Sequence, residues 1–336
     1  MALLRVALIG CGIISENHIR AYARHAGRAR ITLCCDVDAE KAAHRAALVR
    51  ELGGEARVST SWQEAVSDPE IDAVEILTPH RMHTEIAVAA ARAGKHILCQ
   101  KPLAPTLDEC QIIAEAAQKA GVTLFYGEMS RTSPAIVEAK RVIESGRIGQ
   151  IVGMQATYAH HQGGQYLTTA WRYNPAEAGG GQLLDGGIHS IDMMLGLGGP
   201  AQSVSAMTTR FRPELGGEDT AVVNIRFKNG GLGMLFSSHA AAMWFQGARC
   251  VVFGSEGLLV LGGPTGALTL MRPDLPERAE VLMKENEDAF EAMIGRYLDT
   301  VVDGALNASP ASVALEDLAL VLAAYESAET GREVVL

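Results

Sequence analysis

The sequence predicts an α/β domain with a doubly wound parallel sheet, followed by an α+β domain whose strands form antiparallel hairpins. Two observations lead to this prediction. Up to residue 126, short apolar runs alternate with longer Ala-rich stretches, and beyond residue 150 β-favouring segments follow one another across glycine-containing turns. A chain of 336 residues is longer than a single hydrophobic core usually supports. We therefore expect two domains, at 1–126 and 127–336.

Five apolar runs of the first part have the length of strands, and three are nearly continuous in apolar residues. This is typical of strands buried on both faces of a parallel sheet. The runs lie at 3–10, 30–36, 72–78, 95–101 and 122–127, and stretches with helical spacing separate them at 14–26, 38–52, 83–93 and 107–120. Repeated strand–helix–strand units imply right-handed crossovers and a doubly wound sheet.

The second part is richer in β-favouring segments. Six of them lie between residues 150 and 262, and turns such as KNGG (228–231) and GSEG (254–257) separate several of them. Hairpins of an antiparallel sheet are therefore expected. Helices are predicted at 131–145, 186–198, 285–305 and 312–330, and the last of these could pack back on the first domain.

Composition excludes several functional classes. The formal net charge of −10 and the lack of a basic run argue against nucleic-acid binding. There is no apolar run of membrane-spanning length and no signal peptide, so we expect a cytoplasmic protein. Six cysteines without CxxC spacing fit neither a zinc ribbon nor a thioredoxin motif, and we interpret them as small buried thiols in a reducing compartment.

A glycine loop, Gly10-Cys11-Gly12-Ile13-Ile14-Ser15, follows the first strand and opens the first helix. Gly10 permits a tight turn, and Gly12 lets the backbone approach a pyrophosphate. The helix N-terminus then offers unpaired N–H groups to the phosphates. Ser15 replaces the third glycine of the motif, at a position that serves helix packing. The loop predicts a dinucleotide site.

Asp36 ends the second strand, where a carboxylate can accept hydrogen bonds from an adenosine ribose diol and repel a 2′-phosphate. It therefore favours NAD over NADP. A helix N-cap is the alternative interpretation of this residue. Because methyltransferases that use S-adenosylmethionine share an acidic residue here, the loop and Asp36 alone do not fix the cofactor.

Two further polar segments follow strands of the first sheet, at the strand ends where ligands collect in open α/β sheets. They are Thr78-Pro79-His80-Arg81-Met82-His83 and Gln100-Lys101-Pro102. A lysine at such an end, followed by proline, is more typical of a functional residue than of a solvent-exposed lysine without a role. The predicted cofactor contacts in these segments are Thr78, Pro79, His83, Gln100 and Lys101.

Asp185 and His189 stand four residues apart at a predicted helix start, so their side chains share one face. A histidine can exchange a hydroxyl proton near neutral pH, and an aspartate can orient it. A structural Asp–His pair is the alternative, although the flanking glycines permit close approach to a ligand. A metal site could in principle be built from five residues, His160, His161, Asp185, His189 and Asp192. We predict no metal site, because hydride transfer to a nicotinamide does not require a metal ion.

These motifs resemble those of the glucose-fructose oxidoreductase/inositol dehydrogenase/rhizopine catabolism (Gfo/Idh/MocA) family. The family segment GGGxLxDxGxHxxD is matched at every defined position from Gly179 to Asp192, and the usual Glu-Lys-Pro is present as Gln-Lys-Pro with Gln100. The resemblance implies an NAD(P)-binding Rossmann domain. It also implies a second domain with a large, open, predominantly antiparallel sheet for substrate binding and assembly into a homodimer or homotetramer.

The resemblance further implies a catalytic group of Lys101, Asp185 and His189 at the domain junction. His189 would take the hydroxyl proton as hydride leaves for the nicotinamide, and Lys101 would stabilise the developing negative charge. Asp185 would orient the lysine, the histidine or the sugar. Additional substrate contacts are expected from Trp171, Arg172, Tyr158 and His160.

Three functional classes are consistent with these residues. The first is an NAD-dependent dehydrogenase acting on a secondary hydroxyl of a sugar, sugar derivative or cyclitol. The second is a redox-neutral enzyme that oxidises a glycoside at C3, eliminates the aglycone and recovers its NAD. The third is a ligand sensor without catalysis, against which the joint presence of Lys101 and His189 counts.

Overall fold

The computed structural model describes residues 3–163, 169–262, 266–285 and 288–336. The chain forms two compact units. The first runs up to Met129 and also includes Phe290–Leu315, and the second comprises Ser130–Ala289 and Glu316–Leu336. The units therefore differ from the predicted ranges 1–126 and 127–336 mainly in a segment near the C-terminus that belongs with the first unit.

The first unit contains the predicted doubly wound parallel sheet, with strand order β3-β2-β1-β4-β5-β6. Its strands are β1 Leu4–Ile9, β2 Ala29–Cys35, β3 Arg57–Ser59, β4 Ala73–Ile76, β5 His96–Gln100 and β6 Leu124–Gly127. Its first five helices are α1 Ser15–Arg24, α2 Ala39–Glu51, α3 Trp62–Ser67, α4 His83–Arg92 and α5 Leu107–Ala120. The fold class of this part is thus confirmed.

Two elements of the first unit, β3 and α3, are absent from the sequence-based prediction. β3 has only three residues, and two of them are exposed, so no hydrophobic alternation marks it. α3 spans six residues, which is too short for a helical period to stand out. β3 forms because it pairs with β2, and this partner is not visible in its own sequence.

The core of the first unit is completed from the far end of the chain. Helix α9, Ala289–Asp303, contributes Met293, Ile294, Tyr297 and Leu298, all fully buried, to the cluster that contains Val6 and Leu8 of β1. α9 is therefore the helix that packs on the first core. α10, Ala311–Thr330, belongs to the second unit from Glu316 onward, whereas we considered the segment 312–330 for that packing.

The second unit contains a nine-stranded sheet of order β14-β13-β12-β11-β7-β10-β9-β8-β15, in which β7 and β10 are the parallel neighbours. This confirms a large, predominantly antiparallel sheet. Its strands are β7 Ile151–Ala159, β8 Ala201–Thr209, β9 Thr220–Phe227, β10 Leu232–Ser238, β11 Ala248–Gly254, β12 Leu258–Gly262, β13 Ala267–Met271, β14 Ala279–Met283 and β15 Val334–Val335. Its remaining helices are α6 Pro134–Glu144, α7 Pro175–Ala178 and α8 Ile188–Gly198.

The last strands, β13 to β15, were not predicted, because they are short and, in β14, flanked by charged residues. The helix predicted at 186–198 is preceded by a π-helical turn, Leu183–Gly187, which contains Asp185. Among the described residues, no helix combines the length and the apolar character needed to cross a membrane.

Candidate active site

The glycine loop has the backbone that its sequence predicts. Gly10 has a φ of +102°, and a Cβ at this residue would lie 2.6 Å from the carbonyl oxygen of Leu77. A Cβ on Gly12 would meet nothing within 4 Å, so the space beside the N-terminus of α1 stays open. Buried Ser15 donates to the carbonyl of Gly12 at 2.6 Å, which ties the loop to the helix. The loop therefore fits a dinucleotide pyrophosphate.

Asp36 lies against this loop. Its carboxylate accepts the N–H of Cys11 at 2.8 Å and that of Asp38 at 3.0 Å. The N-cap of α2 is Asp38, whose side chain accepts the N–H groups of Glu40 and Lys41. The alternative interpretation of Asp36 as a helix N-cap is therefore wrong, and its carboxylate lies beside the loop with each oxygen accepting one main-chain N–H.

His83 connects the two other predicted cofactor segments. Its side chain is fully buried, with Nε2 2.9 Å from the carbonyl oxygen of Thr78 and Nδ1 3.0 Å from that of Pro102. Burial lowers the pKa of His83, which favours the neutral ring. A neutral ring donates to one of these two carbonyls, and the buried His83 packs between the Thr78-Pro79 and Lys101-Pro102 segments.

In the second unit, Asp185 forms an ion pair with Arg172. The Nη1 atom of Arg172 lies 2.5 and 2.6 Å from the two carboxylate oxygens, and the guanidinium carbon is 4.8 Å from the ring centroid of Trp171. The structure therefore brings together three residues that the sequence predicts at the substrate site. A guanidinium and a carboxylate side by side can donate to and accept from neighbouring hydroxyl groups.

An aromatic cluster adjoins His189. The ring of Tyr158 lies 6.1 Å from that of His189 and 5.3 Å from that of His160. His160 stacks on Trp244 at 3.9 Å, and burial lowers the pKa of His160. His239 and Trp244 belong to this cluster and were missed from the sequence, because β7 and β10 become neighbours only in the folded sheet.

Glu218 and Tyr325 hold the glycine run in place and were also missed. Glu218 accepts the N–H of Leu183 at 2.7 Å and the hydroxyl of Tyr325 at 2.9 Å, and burial raises its pKa. A Cβ on Gly181 would lie 2.1 Å from a Glu218 carboxylate oxygen. Gly181 is therefore required for packing against protein atoms rather than for approach of a ligand.

Asp192, the last residue of the motif, is structural. It is fully buried and accepts the main-chain N–H of Arg131 at 3.0 Å, while the guanidinium of Arg131 bonds both to it and to buried Asp317. Across the described part of the chain, no group of three or more His, Cys, Asp or Glu residues is arranged to hold a metal ion.

Comparison with known proteins decides the family. The model of the oxidoreductase family with an NAD-binding Rossmann fold matches residues 4–128, and that of the GFO/IDH/MocA C-terminal domain matches residues 136–260. The chain belongs to the Gfo/Idh/MocA family. The sequence-based predictions of an oxidoreductase with an NAD-binding Rossmann domain are thereby confirmed.

Relatives of known name match three quarters or more of the chain. Levoglucosan dehydrogenase of Pseudarthrobacter phenanthrenivorans is 32% identical over 76% of this chain and 73% of its own length. The 1,5-anhydro-D-fructose reductase of Ensifer adhaerens is 28% identical over 98% of this chain and 97% of its own. A solved structure of levoglucosan dehydrogenase with NADH and levoglucosan has a TM-score of 0.87 at 25% identity, and covers 99% of each chain.

Proposed function

We propose that this Gfo/Idh/MocA protein oxidises a secondary hydroxyl of a sugar, sugar derivative or cyclitol and passes the hydride to NAD. The grouping of Asp185, Arg172 and the aromatic cluster around His189 is the observation that carries the proposal. Aromatic rings can stack on the C–H face of a sugar, and the ion pair can bind its hydroxyls. Relatives that act on levoglucosan and 1,5-anhydro-D-fructose support this substrate class.

In this proposal each side chain has a separate task. A ring nitrogen of His189 takes the hydroxyl proton, and Nζ of Lys101 donates a hydrogen bond to the oxygen on which negative charge develops. Asp185, held by Arg172, orients the sugar. NAD, when bound, supplies the hydride acceptor, and the open space at Gly12 and the carboxylate of Asp36 are where its pyrophosphate and ribose would be held.

The experiment is a screen of inositols, aldoses, uronates, anhydrosugars and glycosides with NAD and with NADP, in which NADH or NADPH absorbance is followed. We expect reduction of NAD by at least one sugar or cyclitol, and loss of that activity in His189→Ala. A rate with NADP alone would contradict the assignment of Asp36. Conversion of a glycoside without net NADH, by protein that retains its cofactor through purification, would favour the redox-neutral alternative.

The two glycines of the loop give contrasting predictions. Gly12→Ala should weaken NAD binding by about tenfold or more, because its Cβ enters the space beside the helix N-terminus, and should leave the melting temperature of the cofactor-free protein unchanged. Gly10→Ala should lower the melting temperature, because its φ and the Leu77 carbonyl exclude a Cβ. Calorimetric titration and thermal unfolding test both, and wild-type NAD affinity in Gly12→Ala would contradict the site.

We also propose that a second copy of the chain covers the open face of the nine-stranded sheet. Seven side chains that share this face by strand register are apolar and between 39% and 78% exposed. They are Met207, Leu232, Met234, Phe236, Phe253, Met271 and Val281. Exposed Gln155, Asn224 and Arg226 share the face with them. Exposed apolar side chains mixed with polar ones on one face of a sheet are typical of an interface, and a homodimer would bury them with one symmetric contact.

The mass in solution tests this assembly. We expect wild-type protein to elute with at least twice the mass of one chain, and a Leu232→Asp/Met234→Glu variant to lose at least half of that mass by light scattering. Leu306→Asp is the matched control, because Leu306 is 95% exposed and lies outside the face. A monomeric wild type would contradict the proposal.

A cytoplasmic location is proposed as well, since all six cysteines are buried and free.

A further inference from the structure

A chain of hydrogen bonds in the first unit begins at a buried pair of side chains and ends at Lys101. His18 of α1 and Glu75 of β4 are both fully buried, and Nδ1 of His18 bonds to Oε1 of Glu75. On the other side of the ring, Nε2 of His18 lies 3.0 Å from Nε2 of Gln100. Oε1 of Gln100 accepts the main-chain N–H of Lys101 at 3.1 Å. A carboxylate, an imidazole and a carboxamide are thus connected in series.

The donors and acceptors fix the protons of this chain. The N–H of Lys101 can only donate, so the Gln100 atom that faces it is the carbonyl oxygen. The amide nitrogen of Gln100 therefore donates to Nε2 of His18, which must carry no proton. Nδ1 then holds the single proton of a neutral ring and donates it to Glu75. In this arrangement each hydrogen bond of the chain joins one donor to one acceptor.

The other side chains around His18 and Glu75 are aromatic. The ring of Phe290 packs edge-on against His18 at 5.1 Å, and the buried hydroxyls of Tyr22 and Tyr297 are the titratable groups near Glu75. Burial, followed by the charge of Glu75, raises the pKa of both tyrosines. Within the described residues, no lysine or arginine pairs with Glu75, and apart from His18 the hydroxyl of Tyr22 is the polar group that interacts with its carboxylate.

A carboxylate at this position is unusual for its environment. Strands buried on both faces of a parallel sheet ordinarily hold apolar residues, and a buried charge destabilises the fold unless it is well paired. Every other residue of β4 is an apolar one, Ala73, Val74 and Ile76. The position of Glu75 is therefore explained better by the group that it holds than by packing.

We propose that Glu75 and His18 are positioning residues for Lys101. Glu75 fixes the tautomer of His18, His18 fixes the orientation of the Gln100 carboxamide, and Gln100 holds the main chain of Lys101. The inference rests on the proposed function of Lys101. It also accounts for glutamine at position 100, because a carboxylate there would require His18 to carry a second proton between two carboxylates.

Exchanging the acid and the amide tests the chain. In Gln100→Glu, the unprotonated Nε2 of His18 faces a carboxylate, so two acceptors oppose each other and the hydrogen bond between positions 18 and 100 is lost. We expect kcat to fall by about tenfold relative to wild type. Adding Glu75→Gln restores a single carboxylate, now at position 100, and should bring kcat to within about threefold of wild type.

Glu85→Gln is the matched control, because it removes an exposed carboxylate from α4 in the same unit. Added to Gln100→Glu, it should restore nothing. If Gln100→Glu causes the same loss of kcat whether or not Glu75 is replaced, the two positions are not coupled and the inference is wrong.

The tautomer of His18 provides a readout that needs no turnover. In protein labelled with ¹⁵N-histidine, we expect His18 to be protonated at Nδ1 alone, and at Nε2 alone in the double variant, with His18→Gln used for assignment. A wild-type ring protonated at Nε2 overturns the inference whatever the activity. A protein that oxidises no sugar but has the expected tautomers refutes the proposed function and leaves the hydrogen-bond chain intact.

Discussion

Lys101→Ala is expected to lower kcat with the best sugar or cyclitol substrate by about 10²–10³-fold. The reason is that the ammonium group donates to the oxygen on which negative charge develops, and removal of one such donor typically has an effect of this size. Steady-state rates with saturating NAD measure the loss. Because the variant removes the amine without adding bulk, added methylammonium should restore part of the rate.

A surface lysine provides the comparison for this result. Lys119 is exposed on α5, and Lys119→Ala should have wild-type kcat and KM. Full activity of Lys101→Ala would exclude the mechanism proposed above, and a loss that appears in KM alone would limit Lys101 to binding. Restoration by methylammonium in Lys101→Ala but not in His189→Ala would assign the missing amine to position 101.

Arg131→Met should lower the free energy of unfolding by about 3–5 kcal/mol, the usual effect of breaking a buried ion pair. Arg131 bonds to two carboxylates, those of Asp192 and Asp317, that are each fully buried. Methionine matches the aliphatic part of arginine but leaves both charges in the core of the second unit. Urea unfolding followed by circular dichroism measures the change.

Arg141→Met tests whether the burial of the pair causes this effect. Arg141 pairs with Glu138 three residues earlier in α6, and its side chain is 62% exposed. Exposed pairs contribute about 0–1 kcal/mol, so this variant should unfold nearly as the wild type does. A loss below about 1 kcal/mol in Arg131→Met would show that the two aspartates are compensated by other groups.

The sequence predicted the elements that carry a strong local signal. Helix α5 is observed at the predicted residues, and β5 lies within the predicted run at 95–101, because continuous burial and helical spacing mark these segments directly. The turn at the glycine loop and the position of Asp36 beside it could be predicted for the same reason, since both lie within one strand–helix–strand unit, and their roles toward a cofactor stay predictions.

Features that depend on distant partners could not be predicted. From the sequence alone, Glu75 is only an interruption of an apolar run. Its partner His18 lies 57 positions earlier in the chain, and only the fold brings the two side chains together. Similarly, Gly181 reads as a place for a ligand until Glu218 is found packed against it. The role of Asp192 becomes clear only when Arg131 and Asp317 meet it from other elements.

The origin of α9 has a consequence for how this protein can be divided or recombined. A fragment that ends at Met129 keeps the whole parallel sheet but lacks Met293, Ile294, Tyr297 and Leu298, so an apolar surface of its core would face water. It would also lose the helix whose Tyr297 lies near Glu75. A chimaera that exchanges the first unit between relatives must therefore take both of its segments, the one that ends at Met129 and Phe290–Leu315, from the same parent.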